Sequence, residues 1–241
     1  HAIISLMNTH RRSDQSVPVE LRPHPKDRSR EELYHDRREL SRALGRAILR
    51  IHELEKKVYR DPLTGESNLN LFDDKFAELV ETAHSTGEPL ALLVADIDGL
   101  KRVNDNKGHQ TGNRLIKAGA TGLRKAAREG DLVIRMGGDE LCVVLPGFTP
   151  TEGQTEQDLF DGTVARFDKS TADEINALDD LPKELRPGIS YAIGILQPEE
   201  TPKAFYHRVD TMAQAVKDAR KAELAAQGVV FHDDRILPHT G

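Results

Sequence analysis

The chain has 241 residues, 37% of them hydrophobic and 31% charged, with a formal net charge of -6, no Trp and a single Cys. That length holds one substantial domain plus an appendage, and the hydrophobic fraction suits a soluble α/β domain with polar flanks. The negative balance excludes the broad basic field of a dedicated nucleic-acid binder, so an anionic ligand would need a local cationic or metal-bearing pocket. No apolar run approaches the ~20 residues of a membrane-spanning helix, residues 2–7 being too short. With Cys142 alone no internal disulfide forms, which suits a reducing cytoplasm.

Residues 1–30 are rich in Arg, Pro, His and Ser, with little to bury, and read as a flexible arm that is either solvated or in contact with an acidic partner. Residues 31–60 change character. Leu33, Leu40, Leu44, Ala47, Ile51, Leu54 and Val58 recur at steps of three and four, a heptad seam with one weak point at Gly45. The narrow seam and wide polar face predict a stalk that pairs with a second copy as a parallel coiled coil; the plainer reading is an amphipathic helix packed on its own domain. Pro62 pushes Asp61 out of helical geometry, so Asp61-Pro62-Leu63-Thr64-Gly65 is a hinge between the stalk and a globular domain over 61–235, with a tail at 236–241.

Within that domain Asn68 caps a helix whose apolar face carries Leu71, Phe72, Phe76, Leu79 and Val80, and Gly87 and Pro89 end it. Residues 90–95 form a buried strand with Asp96 as the first charge at its carboxyl end. Asn106-Lys107-Gly108 reads as a turn, followed by a helix carrying Leu115, Ile116, Ala118 and Leu123 as far as Arg128. Residues 132–136 and 141–145 are the strands of a hairpin with its turn at Gly137-Gly138, which lifts Asp139 and Glu140 to the tip. Cys142 on the second strand packs as a small apolar residue. A helix over 159–178, a linker with Pro182 and Pro187, a strand over 189–196, a last helix from Pro202 to Gly228 and an edge strand at Val229-Val230-Phe231 complete the chain. That order predicts a mixed α+β domain, a ferredoxin-like β-α-β-β-α-β palm with additions.

Two strand ends can therefore bring Asp96, Asp139 and Glu140 together. Clustered carboxylates repel unless a cation joins them, and hard oxygen ligands suit Mg²⁺ carrying nucleotide phosphates; an acidic turn that is merely solvated is the alternative. Asp96-Ile97-Asp98-Gly99 begins like a calcium loop but fails on spacing, since Lys101-Arg102 follows and the later offsets do not match. His109 at a helix start reads as structural.

Gly137-Gly138-Asp139-Glu140-Leu141, taken with Asp96-Ile97-Asp98-Gly99-Leu100-Lys101, Asn104-Asp105, Gly108-His109 and Asp61-Pro62-Leu63-Thr64-Gly65, resembles the GGDEF family of diguanylate cyclases, in order from Asp61 to Lys221. The resemblance implies a nucleotidyl cyclase palm that condenses two GTP into cyclic di-GMP with release of pyrophosphate, across a homodimer joined by the N-terminal helix. It makes Asp96 and Asp139 ligands of Mg²⁺ or Mn²⁺ with help from the Ile97 carbonyl, and Glu140 either a further ligand or the group that helps deprotonate the attacking hydroxyl. It makes Lys101, the turn at Gly99 and Leu100, Lys217 and Lys221 contacts of phosphate, and Asn104 and Asn113 the readers of guanine. Arg128 and Asp131 match an inhibitory product site, though Arg128 could equally cap its helix.

The departures are specific. Asn113 stands where the family usually has Asp, Leu141 and Leu100 where it has Phe, Lys221 where Arg is usual, and Ala192 and Gln214 replace Ser and Tyr. Asn113 leaves open a cyclase with relaxed base choice that makes cyclic GMP-AMP, or a catalytically weak domain acting as a receptor for nucleotide or cyclic di-GMP.

Overall fold

The computed structural model describes residues 29–226 apart from 182–184 and 186. Residues 1–28 of the predicted arm, the tail, Pro182 and the edge strand at Val229-Val230-Phe231 lie outside the described residues.

Helix α1 (Arg30–Tyr59) covers the predicted stalk, and none of its side chains is buried. The seam residues stand in solvent, with Leu40 71% and Leu44 60% exposed. The chain divides into two units between Leu54 and Glu55.

In the second unit β1 (Ser67–Asn68), α2 (Leu69–Thr86), β2 (Leu90–Asp98), α3 (Leu100–Lys107), α4 (His109–Ala126), β3 (Leu132–Gly137), β4 (Glu140–Pro146), α5 (Glu156–Asn176), β5 (Gly188–Ile195) and α6 (Pro202–Ala226) follow in order. The five strands form one sheet in the order β1-β3-β4-β2-β5. β2 runs antiparallel to both β4 and β5, and β3 antiparallel to β4, so β2 to β5 reproduce the predicted palm. The two-residue strand β1, parallel to β3, is an addition that no periodicity announces.

β2 is apolar from Leu90 to Ala95 because both of its faces are covered. Ala91, Leu93, Ala95 and Ile97 pack with Leu115 and Leu123 of α4 and Phe167 of α5. Leu92 and Val94 point the other way, onto Phe72, Phe76 and Val80 of α2 and Phe205 and Val209 of α6. Strand alternation therefore sends Asp96 and Asp98 toward the α2/α6 side, since they continue the Leu92, Val94 series. Cys142 is buried in that layer.

The helix ends follow side-chain chemistry. Asn68 accepts from the Leu71 amide as predicted. α5 begins at Glu156, three residues before the predicted start, because Thr155 and Asp158 form a reciprocal capping box. The predicted turn at 106–108 is corrected: Asn106 and Lys107 finish α3, and Gly108 alone, at φ 81°, separates it from α4. One left-handed residue suffices to redirect the chain, so no longer turn is needed.

α4 and α5 approach closely at Gly122, where an added Cβ would lie 2.5 Å from the Thr171 Cα and 2.8 Å from its Cγ2. Backbone cannot swing aside as a side-chain end can. Gly122→Ala should lower the unfolding free energy by about 1–3 kcal/mol, read from the urea midpoint; a midpoint equal to wild type would refute this packing.

Candidate active site

The acidic tip is built by register. Asp96 lies directly opposite Glu140, and Ala95 opposite Leu141. The Ile97 amide donates to the Asp139 carbonyl at 3.1 Å, which ties the hairpin turn to the end of β2. A register shift between Arg135 and Gly137 and the left-handed Gly138, φ 51°, form the turn itself.

Into this corner α6 sends Lys217. Its Nζ stands 2.6 Å from Asp96 Oδ1 and 3.8 Å from Asp139 Oδ2. Asp96 Oδ1 is buried and, apart from this ammonium, has no hydrogen-bond partner among the described residues. Burial pushes the Asp96 carboxyl up to about 6, with the charge of Asp139 adding to the rise against the pull of Lys217. Burial disfavours the Lys217 charge, but the bond to Asp96 and the charges of Asp96 and Asp139 hold its pKa above the usual value. Glu140 is raised by lost hydration on its inner side, then by Asp139 and Asp210. Among the described residues no three His, Cys, Asp or Glu side chains close into a metal cage; a lysine ammonium bridges two aspartates where a cation was expected. The donor set is hard oxygen and already holds positive charge, so it fits a divalent ion.

The remaining predicted residues spread over neighbouring elements. Gly99, φ 76°, caps α3, Leu100 packs half-buried on the core, and Lys101 is exposed on the first turn. The Asn104 side chain lies against Gly112, where an added Cβ would come within 1.9 Å of its Oδ1. That oxygen is buried without a hydrogen-bond partner among the described residues, and Asn113 is exposed beside it on α4. Lys221 is exposed one helical turn beyond Lys217. Leu141 is fully buried, a packing residue rather than a contact.

Arg128 and Asp131 sit in the turn between α4 and β3, at the far end of β3 from the acidic tip. Asp131 is buried and accepts from the Arg128 amide at 2.6 Å, closing the turn with the Asp131 amide bonded to the Arg128 carbonyl at 3.2 Å. Arg124 donates to both carbonyls, at 3.1 and 2.9 Å. The carboxylate thus has a local task, while the Arg128 side chain is exposed.

Sequence reasoning missed Arg135. Its guanidinium donates to both Asp61 oxygens, at 3.2 and 3.0 Å, and to the Gly138 carbonyl at 2.8 Å, so one side chain joins the turn after α1 to the acidic hairpin. Asp61 also accepts from the Thr64 amide and hydroxyl, at 2.7 and 2.8 Å. The signal was an Arg two positions before Gly-Gly and an Asp before Pro, each commonplace alone.

Comparison with known proteins agrees on the domain family. The GGDEF family model, described as diguanylate cyclase, GGDEF domain, matches residues 58–223. The diguanylate cyclase DgcP of Pseudomonas aeruginosa is 36% identical over 104 residues, 43% of this chain and 16% of that protein. The diguanylate cyclase TpbB of the same organism is 33% identical over 192 residues, 76% of this chain and 40% of that protein. The chain therefore spans less than half the length of these relatives. In fold it is similar to the coiled coil and GGDEF domain of DgcB from Caulobacter crescentus, crystallised with c-di-GMP: TM-score 0.65, 21% identity, covering 78% of this chain and 95% of that one.

The Arg135 fork carries the prediction from this geometry. Burial alone would raise the Asp61 carboxyl, but Thr64 and Arg135 outweigh it and hold it below its ordinary 3.8. A depressed carboxyl stabilises the fold above its unfolded pKa and loses that contribution as pH falls through the folded one. Arg135→Ala should cost about 3 kcal/mol at neutral pH, and the gap from wild type should narrow as pH falls below 3.8. Denaturant unfolding at both pH values checks it; a gap independent of pH would show that the pair is not its source.

Proposed function

The chain belongs to the GGDEF family, and on that premise we propose that it is a diguanylate cyclase, condensing two GTP into cyclic di-GMP and releasing pyrophosphate. The observation that carries this reading is the half-buried Lys217 ammonium held between Asp96 and Asp139 beside Glu140. A corner that binds a cation between strand-end carboxylates suits a triphosphate and its metal.

In each half-reaction the 3′-hydroxyl of one GTP attacks the α-phosphorus of the other, the new P–O bond forming as the bond to pyrophosphate breaks. Mg²⁺ or Mn²⁺, held by Asp96, Asp139, Glu140 and the Ile97 carbonyl, would neutralise the phosphates and ease loss of the hydroxyl proton. When it is not ligating the metal, Glu140, the most exposed of the three acids and raised in pKa, would receive that proton. Lys217 would turn from the aspartates to phosphate, joined by Lys101 and Lys221, while amides at Gly99 and Leu100 orient the tail. Asn104 offers a base N–H its buried oxygen, which has no hydrogen-bond partner among the described residues, and Asn113 on the following helix is the second reader.

Two substrates must face each other, so the active form is a homodimer. The solvent-exposed seam of α1 supports its pairing with a second copy. A GTP-consuming enzyme with a buried free thiol belongs in the cytoplasm. Arg128, exposed at its turn, and Asp131, which also closes that turn, form the contact for product as inhibitor.

One observation favours a second reading. Asn113 offers guanine a donor beside an acceptor where two acceptors fit best, and on that second reading the site tolerates ATP, making cyclic GMP-AMP, or is a receptor that binds without turnover.

Incubating the protein with Mg²⁺ and GTP, ATP or both, and weighing the products, decides among these. Cyclic di-GMP from GTP is expected, with Asp139→Ala lowering its rate by about a hundredfold or more. Binding without any product overturns the cyclase, and the mixed product favours relaxed base choice. Arg128→Ala should raise the product concentration needed for half-inhibition by about tenfold; an unchanged inhibition curve removes Arg128 from that role.

A further inference from the structure

The sheet-facing stripe of α6 runs through Phe205, Val209 and Ala213, and these are its only buried residues. Four positions later the same stripe presents Lys217, and three further on Arg220. The first half of α6 is thus fastened to the sheet by apolar contact, and the second half by two cations.

Arg220 Nη1 lies 3.1 Å from Asp98 Oδ2 and donates to the Ile189 carbonyl at 2.9 Å. Asp98 is buried, and its same oxygen accepts from the Ser190 hydroxyl at 2.8 Å. Gly188 faces Asp98 directly across the sheet. A Cβ on Gly188 would come within 1.9 Å of Arg220 Nη2, so the absent side chain is the space the guanidinium fills. Asp96 and Asp98 project from the same face of β2, and Lys217 and Arg220 meet them in the same order.

We propose that Arg220 is a positioning residue: by clamping α6 to Asp98 and the Ile189 carbonyl, it sets the helix so that Lys217 reaches the catalytic corner. The inference rests on the reading of Lys217 as part of that corner. Arg220 touches neither Asp96 nor Asp139 in any bond described here; its effect passes through the placement of Lys217. A two-point hold, ion pair plus carbonyl, fixes rotation of the helix as well as its approach, which a single lysine could not do.

The test reads Lys217 itself. Brief treatment of the full chain with an amine-reactive acylating reagent, followed by peptide mass analysis, measures how well Lys217 is protected. Lys217 should react slowly in wild type and about tenfold faster in Arg220→Ala, the change expected when about 1.4 kcal/mol of contact is lost. Arg220→Lys should restore part of the protection. Gly188→Ala gives the same readout with the core intact, since its methyl meets only the flexible end of Arg220, and it too should expose Lys217. Protection unchanged in folded Gly188→Ala or Arg220→Ala protein overturns the proposal.

The labelling needs no substrate. Absence of cyclic dinucleotide from the wild type would therefore sink the cyclase reading and leave this result standing. Unchanged labelling alongside full activity would sink the positioning role alone. Where activity is present, kcat/KM should fall in Arg220→Ala and be partly recovered in Arg220→Lys.

Discussion

The site depends on one electrostatic constraint: two aspartates, two positions apart on one strand, face the same helix and cannot both shed water without cations. Asp96 and Asp98 are sent to that side by strand alternation alone. Lys217 and Arg220 answer them at a helical spacing that keeps both cations on the sheet-facing stripe. The hydrophobic layer of Phe72, Phe76, Phe205 and Val209 brings α6 to the sheet, and the charges decide its final setting.

The same end of β2 serves three other tasks. Its Ile97 amide holds the hairpin through the Asp139 carbonyl, its register with β4 places Glu140 opposite Asp96, and its exit at Gly99 launches α3. The opposite face of the strand, from Ala91 to Ile97, is locked into the α4/α5 core. Rigidity on one face is what allows the other to hold closely spaced charges, because a mobile strand end would let the carboxylates turn to water.

Much of this could be read from residues alone. The Leu90 to Ala95 run, the Gly-Gly turn and the seam of α1 have periods that belong to one kind of element, and the order of strands and helices gave the palm. Boundaries slipped where a side chain decided them, as at the Thr155 and Asp158 capping box, or where a single Gly108 did the work expected of three residues. The role of Lys217 was visible only through family resemblance, since a lysine on a long helix is otherwise unremarkable. The Arg135 fork and the Arg220 clamp were illegible, because each joins residues distant in sequence, and the clamp also depends on a hollow at Gly188 that exists only in the folded sheet. Asp131 carries a task that its sequence position did not announce: its carboxylate accepts from the Arg128 amide and closes the turn before β3.

One consequence follows from Cys142. Its thiol is wholly enclosed in the α2/α6 layer and burial keeps it protonated. Maleimides and iodoacetamides therefore meet no target in the native state and report on opening of that layer. A cysteine placed on an exposed helix can carry a spectroscopic label as a unique handle, with the native sulfur left where it is.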